Sequence, residues 1–151
     1  MYSFLKKNII SIFNLNFLYR NELLLRYFYG IFFIGNSYNC NICNHNLRAF
    51  VNSNNLCPFC GSLPRNRSLY KLLKENNSLK GKILHFSPSR SLYRKLKNNK
   101  AIDYYSSDFE NEFLADFKFD ITNIKQRNET FDTIICFHVL EHILEDDKAI
   151  N

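Results

Sequence analysis

The sequence has few of the residues that build nucleotide-binding loops and no long apolar run. It contains 4 Gly in 151 residues, and the fingerprint G-x-G-x-x-G is absent, so a dinucleotide site of that type is not supported. Residues 9–34 are rich in Ile, Leu, Phe and Tyr, but Arg20, Glu22 and Arg26 interrupt them before about 20 apolar residues accumulate. We therefore predict one or two amphipathic helices and no transmembrane span there. A helix lying on a membrane surface and an uncleaved span are the alternatives.

Acidic residues are scarce in the first part of the chain. Residues 1–100 contain 16 Lys/Arg and 2 Asp/Glu, whereas residues 101–151 contain 4 and 12. Such a division indicates a half that faces nucleic acid or phosphate, or equally two solvated faces that partly neutralise each other on folding. No cleavable signal pattern precedes the cysteines, which favours a reducing, cytoplasmic compartment.

Four of the five cysteines form two C-x-x-C pairs separated by 13 residues. This spacing predicts two tight knuckles that place four thiolates around one Zn²⁺. The predicted ligands are Cys40, Cys43, Cys57 and Cys60. Gly61 follows the second knuckle and Asn44 follows the first, and both residue types tolerate a left-handed backbone. Four sulfur ligands close the coordination sphere, so we predict a structural site, with reduced thiols or a redox pair as alternatives. Cys136 is predicted to be a core residue.

The remaining pattern divides the chain into three zones. Residues 1–35 are predicted to be helical and closed by Gly35–Ser37, and residues 36–66 to form a small zinc ribbon with a strand at 47–51. Residues 67–151 alternate between helix and strand, which predicts an α/β domain with a parallel sheet. Its predicted helices are 68–77 and 91–98, and its predicted strands are 82–86, 101–105, 115–121 and 131–137, with a last helix from Val139.

Ligands of a parallel sheet bind at the carboxyl ends of its strands. The first predicted strand, KILHF, is followed by the glycine-free turn Ser87-Pro88-Ser89, whose hydroxyls and amides suit a helix N-terminus. Asp108 follows the second strand and Asp120 the third. Each acid alone is most simply a solvated loop carboxylate, but as an ordered set they predict a nucleoside site.

The string HVLEH, residues 138–142, fits H-x-x-E-H, the pattern of inverted zinc metalloproteases. That site requires both histidines within one helix. Here His138 follows directly on a predicted strand, so we consider a protease the weakest of the possible functions.

The segments CPFCGSLPRNR, KILHFSPS, YYSSD, FDIT and FDTIICFHVLEHILEDDKAI together resemble the class I S-adenosylmethionine-dependent methyltransferases. More narrowly, residues 36–151 are similar to a type 11-like subgroup with an N-terminal zinc ribbon. The resemblance implies a Rossmann-like sheet whose first four strands lie in the order 3-2-1-4. Because only these four strands are present, it also implies a C-terminally truncated member whose activity is in doubt.

The resemblance implies specific roles for residues at the carboxyl ends of the strands. The methionine part of the cofactor would border Phe86, Ser87, Pro88 and Ser89. Asp108 would hold the ribose, and Asp120 with Ile121 would frame the adenine. Phe137 and His138 would lie opposite. His138 would serve as a base or orient the substrate, with a packing role as the alternative.

The implied reaction is methyl transfer from S-adenosylmethionine to an unknown acceptor, either a small molecule or RNA. The alternative is a non-catalytic zinc-ribbon module with a degenerate Rossmann half that binds RNA or a protein. A basic cluster motivates this alternative: Arg65, Arg67, Lys71 and Lys74. The sequence does not predict an oligomeric state.

Overall fold

The computed structural model describes residues 21–108, 115–124, 129–144 and 146–150. The chain divides into two compact units, Met1–Gly61 (unit 1) and Ser62–Asn151 (unit 2). The boundary therefore falls inside the predicted ribbon zone of residues 36–66, because the first helix of unit 2 already begins at Pro64. The helix predicted within residues 1–20 lies outside the described residues.

Unit 1 contains a helix followed by a small antiparallel sheet. Helix α1 spans Glu22–Ile31, and strands β1, Ile34–Asn39, and β2, Asn46–Leu47, pair antiparallel. The prediction that Gly35–Ser37 close the helical zone was wrong, because these residues lie within β1. The predicted strand at 47–51 is reduced to β2 and an isolated bridge between Val51 and Leu56. Within the described ranges, every helix is too short or too polar to traverse a lipid bilayer.

Unit 2 is a parallel sheet with helices between its strands. Its elements are α2 Pro64–Glu75, β3 Gly81–Phe86, α3 Arg90–Lys97, β4 Ile102–Ser107, β5 Thr133–Cys136, a 3-10 turn Leu140–His142 and α4 Asp146–Ile150. The three strands lie in the order β4-β3-β5, and both pairs are parallel. The predicted α/β class with a parallel sheet is therefore confirmed for the described part of the chain.

Local sequence explains where the helices of unit 2 begin. Pro64 occupies the first turn of α2, where its missing N–H costs no hydrogen bond. Ser89 caps α3, because its side-chain oxygen accepts a hydrogen bond from the Leu92 amide at 3.5 Å. The chain thus turns directly from the end of β3 into α3.

The core of unit 2 lies between one face of the sheet and helices α2 and α3. The buried cluster joins Leu73 of α2 and Leu96 of α3 to the sheet, whose contributors are Ile83, Ile102, Tyr104 and Ile135. Full burial of one such aliphatic side chain stabilises a fold by about 1.5–3 kcal/mol. Because both helices contribute to the same cluster, they cover the same face of the sheet.

Two predicted elements differ in the structure. The third predicted strand, residues 115–121, is reduced to one parallel bridge between Phe117 and Ser107, which extends the sheet beyond β4. The helix predicted from Val139 is instead a 3-10 turn followed by the short α4. Val139 has φ −123° and Ile143 is extended, so no continuous α-helix connects them.

Gly81 is the position where β3 most requires a glycine. It has φ +62°, and a Cβ atom there would overlap the Asp132 carboxylate, which accepts a hydrogen bond from the Lys82 amide at 2.7 Å. We expect Gly81→Ala to lower the free energy of unfolding by about 2 kcal/mol, measured by urea denaturation. Removal of the carboxylate provides the control: in an Asp132→Ala background, the same glycine substitution should cost markedly less. An equal cost in both backgrounds would contradict the steric explanation.

Candidate metal centre and nucleoside site

The four predicted zinc ligands come together in unit 1. Their sulfur atoms all lie within 4.8 Å of one another. The Cys40–Cys60 and Cys43–Cys57 Sγ–Sγ distances are both 3.7 Å. A tetrahedron of sulfurs at the usual Zn–S bond length of about 2.3 Å has edges of about 3.8 Å, so the group has the size that a tetrahedral metal ion requires.

The backbone of each knuckle explains why these sulfurs converge. The Asn44 amide donates to the Cys40 carbonyl at 2.6 Å, and the Gly61 amide donates to the Cys57 carbonyl at 2.9 Å. Asn44 has φ +61° and Gly61 has φ +71°, as predicted from the residue types that follow each pair. Each C-x-x-C therefore folds into a tight turn that directs both of its thiols inward.

The thiols of the cluster influence one another electrostatically. Contact with Cys40, then with Cys57 and Cys60, together with burial, raises the pKa of Cys43 above that of an ordinary cysteine. Four thiolates at these distances repel one another, and a divalent cation at their centre offsets that repulsion. The arrangement can therefore hold a metal ion, and among the described residues it is the one cluster of His, Cys, Asp or Glu suited to do so.

His45 supports this centre in a way that the sequence did not reveal. Its ring stacks on Phe59 with centroids 3.9 Å apart, and its Nδ1 lies 3.2 Å from the carbonyl oxygen of Cys43. The side chain thus links the two knuckles within unit 1. Its position two residues after a ligand is the one signal in the sequence, and that signal does not distinguish a supporting side chain from a ligand.

The carboxyl ends of β3 and β4 bring two predicted site residues together. Ser87 Oγ donates to Asp108 Oδ1 at 3.1 Å, and the Ser87 amide donates to the Ser107 carbonyl at 2.7 Å. Asp108 is buried, with 5% of its surface exposed. Ser87 has φ +43°, a conformation that serine seldom adopts. The loop between β3 and α3 therefore turns sharply without a glycine and directs its hydroxyl at a buried carboxylate.

The neighbouring residues of this loop are packed inward. Phe86 and Pro88 are buried, whereas Ser89 is half-buried as the cap of α3. Asp120, which the resemblance placed beside the adenine, has an exposed carboxylate that accepts hydrogen bonds from the Thr122 amide at 2.9 Å and the Thr122 hydroxyl at 2.7 Å. The hydrogen bond from the Thr122 hydroxyl is the first cause of the lowered pKa of Asp120. Asp120 thus stabilises its own turn, next to the half-buried Ile121.

Phe137 and His138 follow β5 at the same edge of the sheet, because Cys136 is in register with Phe86. Their rings meet edge to face with centroids 4.5 Å apart. His138 has φ +58° and is exposed, and its Nδ1 lies 2.7 Å from Glu141 Oε1. This contact is the first cause of the lowered pKa of Glu141. Since His138 precedes a 3-10 turn and lies outside any α-helix, the two histidines of HVLEH do not share the helix that a zinc protease requires.

Several residues at this edge make contacts that the sequence did not predict. The Ser107 hydroxyl accepts from the Phe119 amide at 2.9 Å, and Asp116 Oδ2 accepts from the Ser106 amide at 3.0 Å, so polar side chains fasten the third segment to β4. Phe117 and Phe119 stack in parallel with ring centroids 4.9 Å apart. The alternation F-x-F was the available signal for the stacked pair. No signal in the sequence indicated that Ser106 and Ser107 accept or donate across the sheet.

The described residues therefore define a mixed α/β protein with a three-stranded parallel sheet and a four-cysteine group that can bind a metal ion. Comparison of the chain with protein-family models, with curated proteins and with solved structures gave no match in any of the three.

Proposed function

We propose that this protein is a zinc-binding, S-adenosylmethionine-dependent methyltransferase, in which unit 1 holds a structural Zn²⁺ and unit 2 binds the cofactor. The proposal rests chiefly on one observation, the Ser87–Asp108 hydrogen bond at the carboxyl ends of two adjacent parallel strands. The methyl acceptor is a small molecule or RNA.

The order of the strands supports this assignment. The Phe117 segment lies beside β4, β4 beside β3, and β3 beside β5. In chain order this is 3-2-1-4, the arrangement that the resemblance to class I methyltransferases implies. Loops of such a sheet bind ligands outside the carboxyl ends of the strands, which is the edge where Phe86–Ser89, Asp108 and Phe137–His138 lie.

Backbone strain marks the same edge. Among the described residues other than Gly and Asn, a positive φ occurs at Ser87, Glu129 and His138. Two of these three directly follow, or nearly follow, the paired ends of β3 and β5. Such conformations cost about 1–3 kcal/mol each and are concentrated at binding sites.

Asp108 has the chemistry expected of a ribose-binding residue. A carboxylate can accept several hydrogen bonds at once, which suits the paired hydroxyls of a ribose. The bound cofactor would supply an electrophilic methyl group, and the chain itself would supply position and alignment. His138, held by Glu141, would orient the acceptor or take its proton where the acceptor must lose one.

Calorimetric titration of the folded, zinc-loaded chain with S-adenosylmethionine tests the proposal. We expect binding, and we expect Asp108→Asn to weaken it about tenfold or more, since a hydrogen bond to a charged group contributes about 1.5–3 kcal/mol. Asp103→Asn is the matched control, because Asp103 is an exposed acid of β4, the strand that Asp108 directly follows. Failure of the wild-type chain to bind, or equal losses in both variants, would overturn the cofactor assignment.

The basic residues of α2 favour a second candidate, a non-catalytic zinc-ribbon module that binds RNA or a protein. In that case the same titration would give no heat, while the zinc content would remain at one ion per chain. Arg67 supports this candidate less than the other basic residues do, because its guanidinium donates a hydrogen bond to the Ser62 carbonyl at 2.6 Å. That contact gives Arg67 a structural role at the start of α2.

A further inference from the structure

The outer surface of the helical layer in unit 2 is strongly basic. Residues 62–100 contain 11 Lys/Arg and a single acid, Glu75. On α2, cations follow one another at intervals of four and then three residues: Arg67, Lys71 and Lys74. The same intervals occur on α3, at Arg90, Arg94 and Lys97. Residues three and four apart lie on one side of a helix, so each helix carries a cationic stripe. We call these stripes and the cation between them the basic layer: Arg67, Lys71, Lys74, Arg90, Arg94, Lys95 and Lys97.

The two stripes belong to one continuous surface. Leu73 of α2 and Leu96 of α3 enter the same buried cluster, so the helices lie side by side on the sheet. Lys95 Nζ lies 5.3 Å from the ring centroid of Tyr70, which places a cation of α3 over a side chain of α2. The inward sides of both helices are thus used for packing. Lys71, Lys74 and Lys97 are exposed on the layer, and its other four cations are half-buried.

Two acids among the described residues of unit 2 pair with lysines of this surface. Lys97 pairs with Asp116 at 2.6 Å, and Lys71 lies 3.6 Å from Glu75 in an exposed pair that contributes little. Two further acids among the described residues have partners at the sheet: Asp108 is buried at the carboxyl ends of the strands, and Asp132 accepts a hydrogen bond from the Lys82 amide. Asp103 alternates with Ile102 and Tyr104, which face the helices, so its side chain is on the opposite face of the sheet.

The chemistry of the layer selects among anionic partners. Leu72 is the one large apolar side chain exposed on these two fully described helices, so the surface lacks the apolar face with which a helix enters a lipid surface. Each helix also packs one side against the sheet, whereas a helix that reads duplex DNA is inserted into the major groove. A surface with several cations and little exposed apolar area suits a flexible chain of phosphates.

We infer that the basic layer binds the phosphate backbone of single-stranded nucleic acid, without base-specific readout. The inference does not depend on the cofactor site, because the layer lies on the helices that cover one face of the sheet, whereas the cofactor site lies at the carboxyl ends of the strands. If both hold, nucleic acid is the class of methyl acceptor.

Fluorescence anisotropy with a labelled single-stranded RNA oligonucleotide tests this inference on the full, zinc-loaded chain. We expect Lys71→Gln/Lys74→Gln to weaken binding about tenfold, and to reduce the slope of log K against log salt by about 1.4, or about 0.7 per lost phosphate contact. Lys118→Gln/Lys148→Gln removes the same charge from residues outside the basic layer and should change the affinity less than about threefold. Circular dichroism verifies that each variant is folded.

Three results would overturn the inference. These are equal losses in both double variants, tighter binding to duplex DNA of the same length than to the single strand, and tighter binding to vesicles containing phosphatidylserine than to RNA. Absence of RNA binding by the wild-type chain would also overturn it, whatever the titration with S-adenosylmethionine shows. Binding of RNA without binding of S-adenosylmethionine would instead uphold this inference and remove the proposed methyltransferase activity.

Discussion

Cys57→Ser is expected to abolish stoichiometric zinc binding and to unfold unit 1. The hydroxyl of serine is a poor zinc ligand, and the four sulfurs of the native cluster are spaced for one tetrahedral ion. Binding of structural zinc contributes about 10–16 kcal/mol to the folding of small ribbons, more than the whole stability of most domains. The expected result is a fall from one zinc ion per chain to none, measured by elemental analysis.

The chain provides a matched control for this substitution in its fifth cysteine. Cys136 lies in β5, half-buried and in the other unit, so Cys136→Ser should leave the zinc content at one ion per chain. A chelator should reproduce the effect of Cys57→Ser on the wild-type chain, with loss of protection of residues 34–61 against proteolysis. Retention of one zinc ion by Cys57→Ser, or a disulfide between the pairs in the freshly purified protein, would contradict a structural zinc centre.

The second large effect concerns pH and the buried His85. Its Nδ1 lies 3.0 Å from the Tyr104 hydroxyl, and burial lowers the pKa of His85 to about 4. In the unfolded chain an ordinary histidine has a pKa of about 6.5. The unfolded state therefore binds more protons as the pH falls from 6.5 to 4, and the fold loses stability over that window. We expect a loss of about 2 kcal/mol at pH 5 and about 3 kcal/mol at pH 4 from this residue alone.

The double variant His85→Leu/Tyr104→Phe isolates this contribution. It removes both polar groups, so the stability at neutral pH should change little. The difference in unfolding free energy between variant and wild type should then shift in favour of the variant by about 2 kcal/mol between pH 7.5 and pH 5. Other titrations, those of the cysteine cluster included, cancel in that difference. Tyr104→Phe alone retains His85 and should keep the pH dependence of the wild type; a flat difference for the double variant would refute the assignment.

Features with a strong local cause were predictable from the sequence. The two knuckles follow from the paired cysteines and from the residues after them, and Asn44 and Gly61 do have the left-handed backbone that their residue types suggested. Strand β3 was predicted to begin at Lys82, one residue later than observed. Its residues Ile83–Phe86 are all buried, as expected for a strand covered on both faces. Local chemistry of this kind requires no knowledge of distant residues.

Features that depend on tertiary contacts were not predictable. Residues 115–121 were predicted to form a strand. In the structure they make one parallel bridge to β4, and side-chain hydrogen bonds of Ser106, Ser107 and Asp116 hold them there. Asp120 is a different case, because its carboxylate accepts hydrogen bonds from Thr122, a local contact between residues two positions apart. HVLEH contains residues that favour helices. His138 nevertheless has a left-handed backbone and contacts Glu141, so an α-helix does not begin there.

The contact between Asp132 and the Lys82 amide has a consequence for the order of assembly. It joins residues 50 positions apart, whereas the β3–β4 register joins Lys82 to Asp103 across one helix. Closing a longer loop costs more chain entropy, and contacts distant in sequence generally form late. Strands β3 and β4 with α3 are thus expected to fold first as a local unit. Strand β5 docks afterwards, so the part of the sheet edge that carries Phe137 and His138 is the last to be completed.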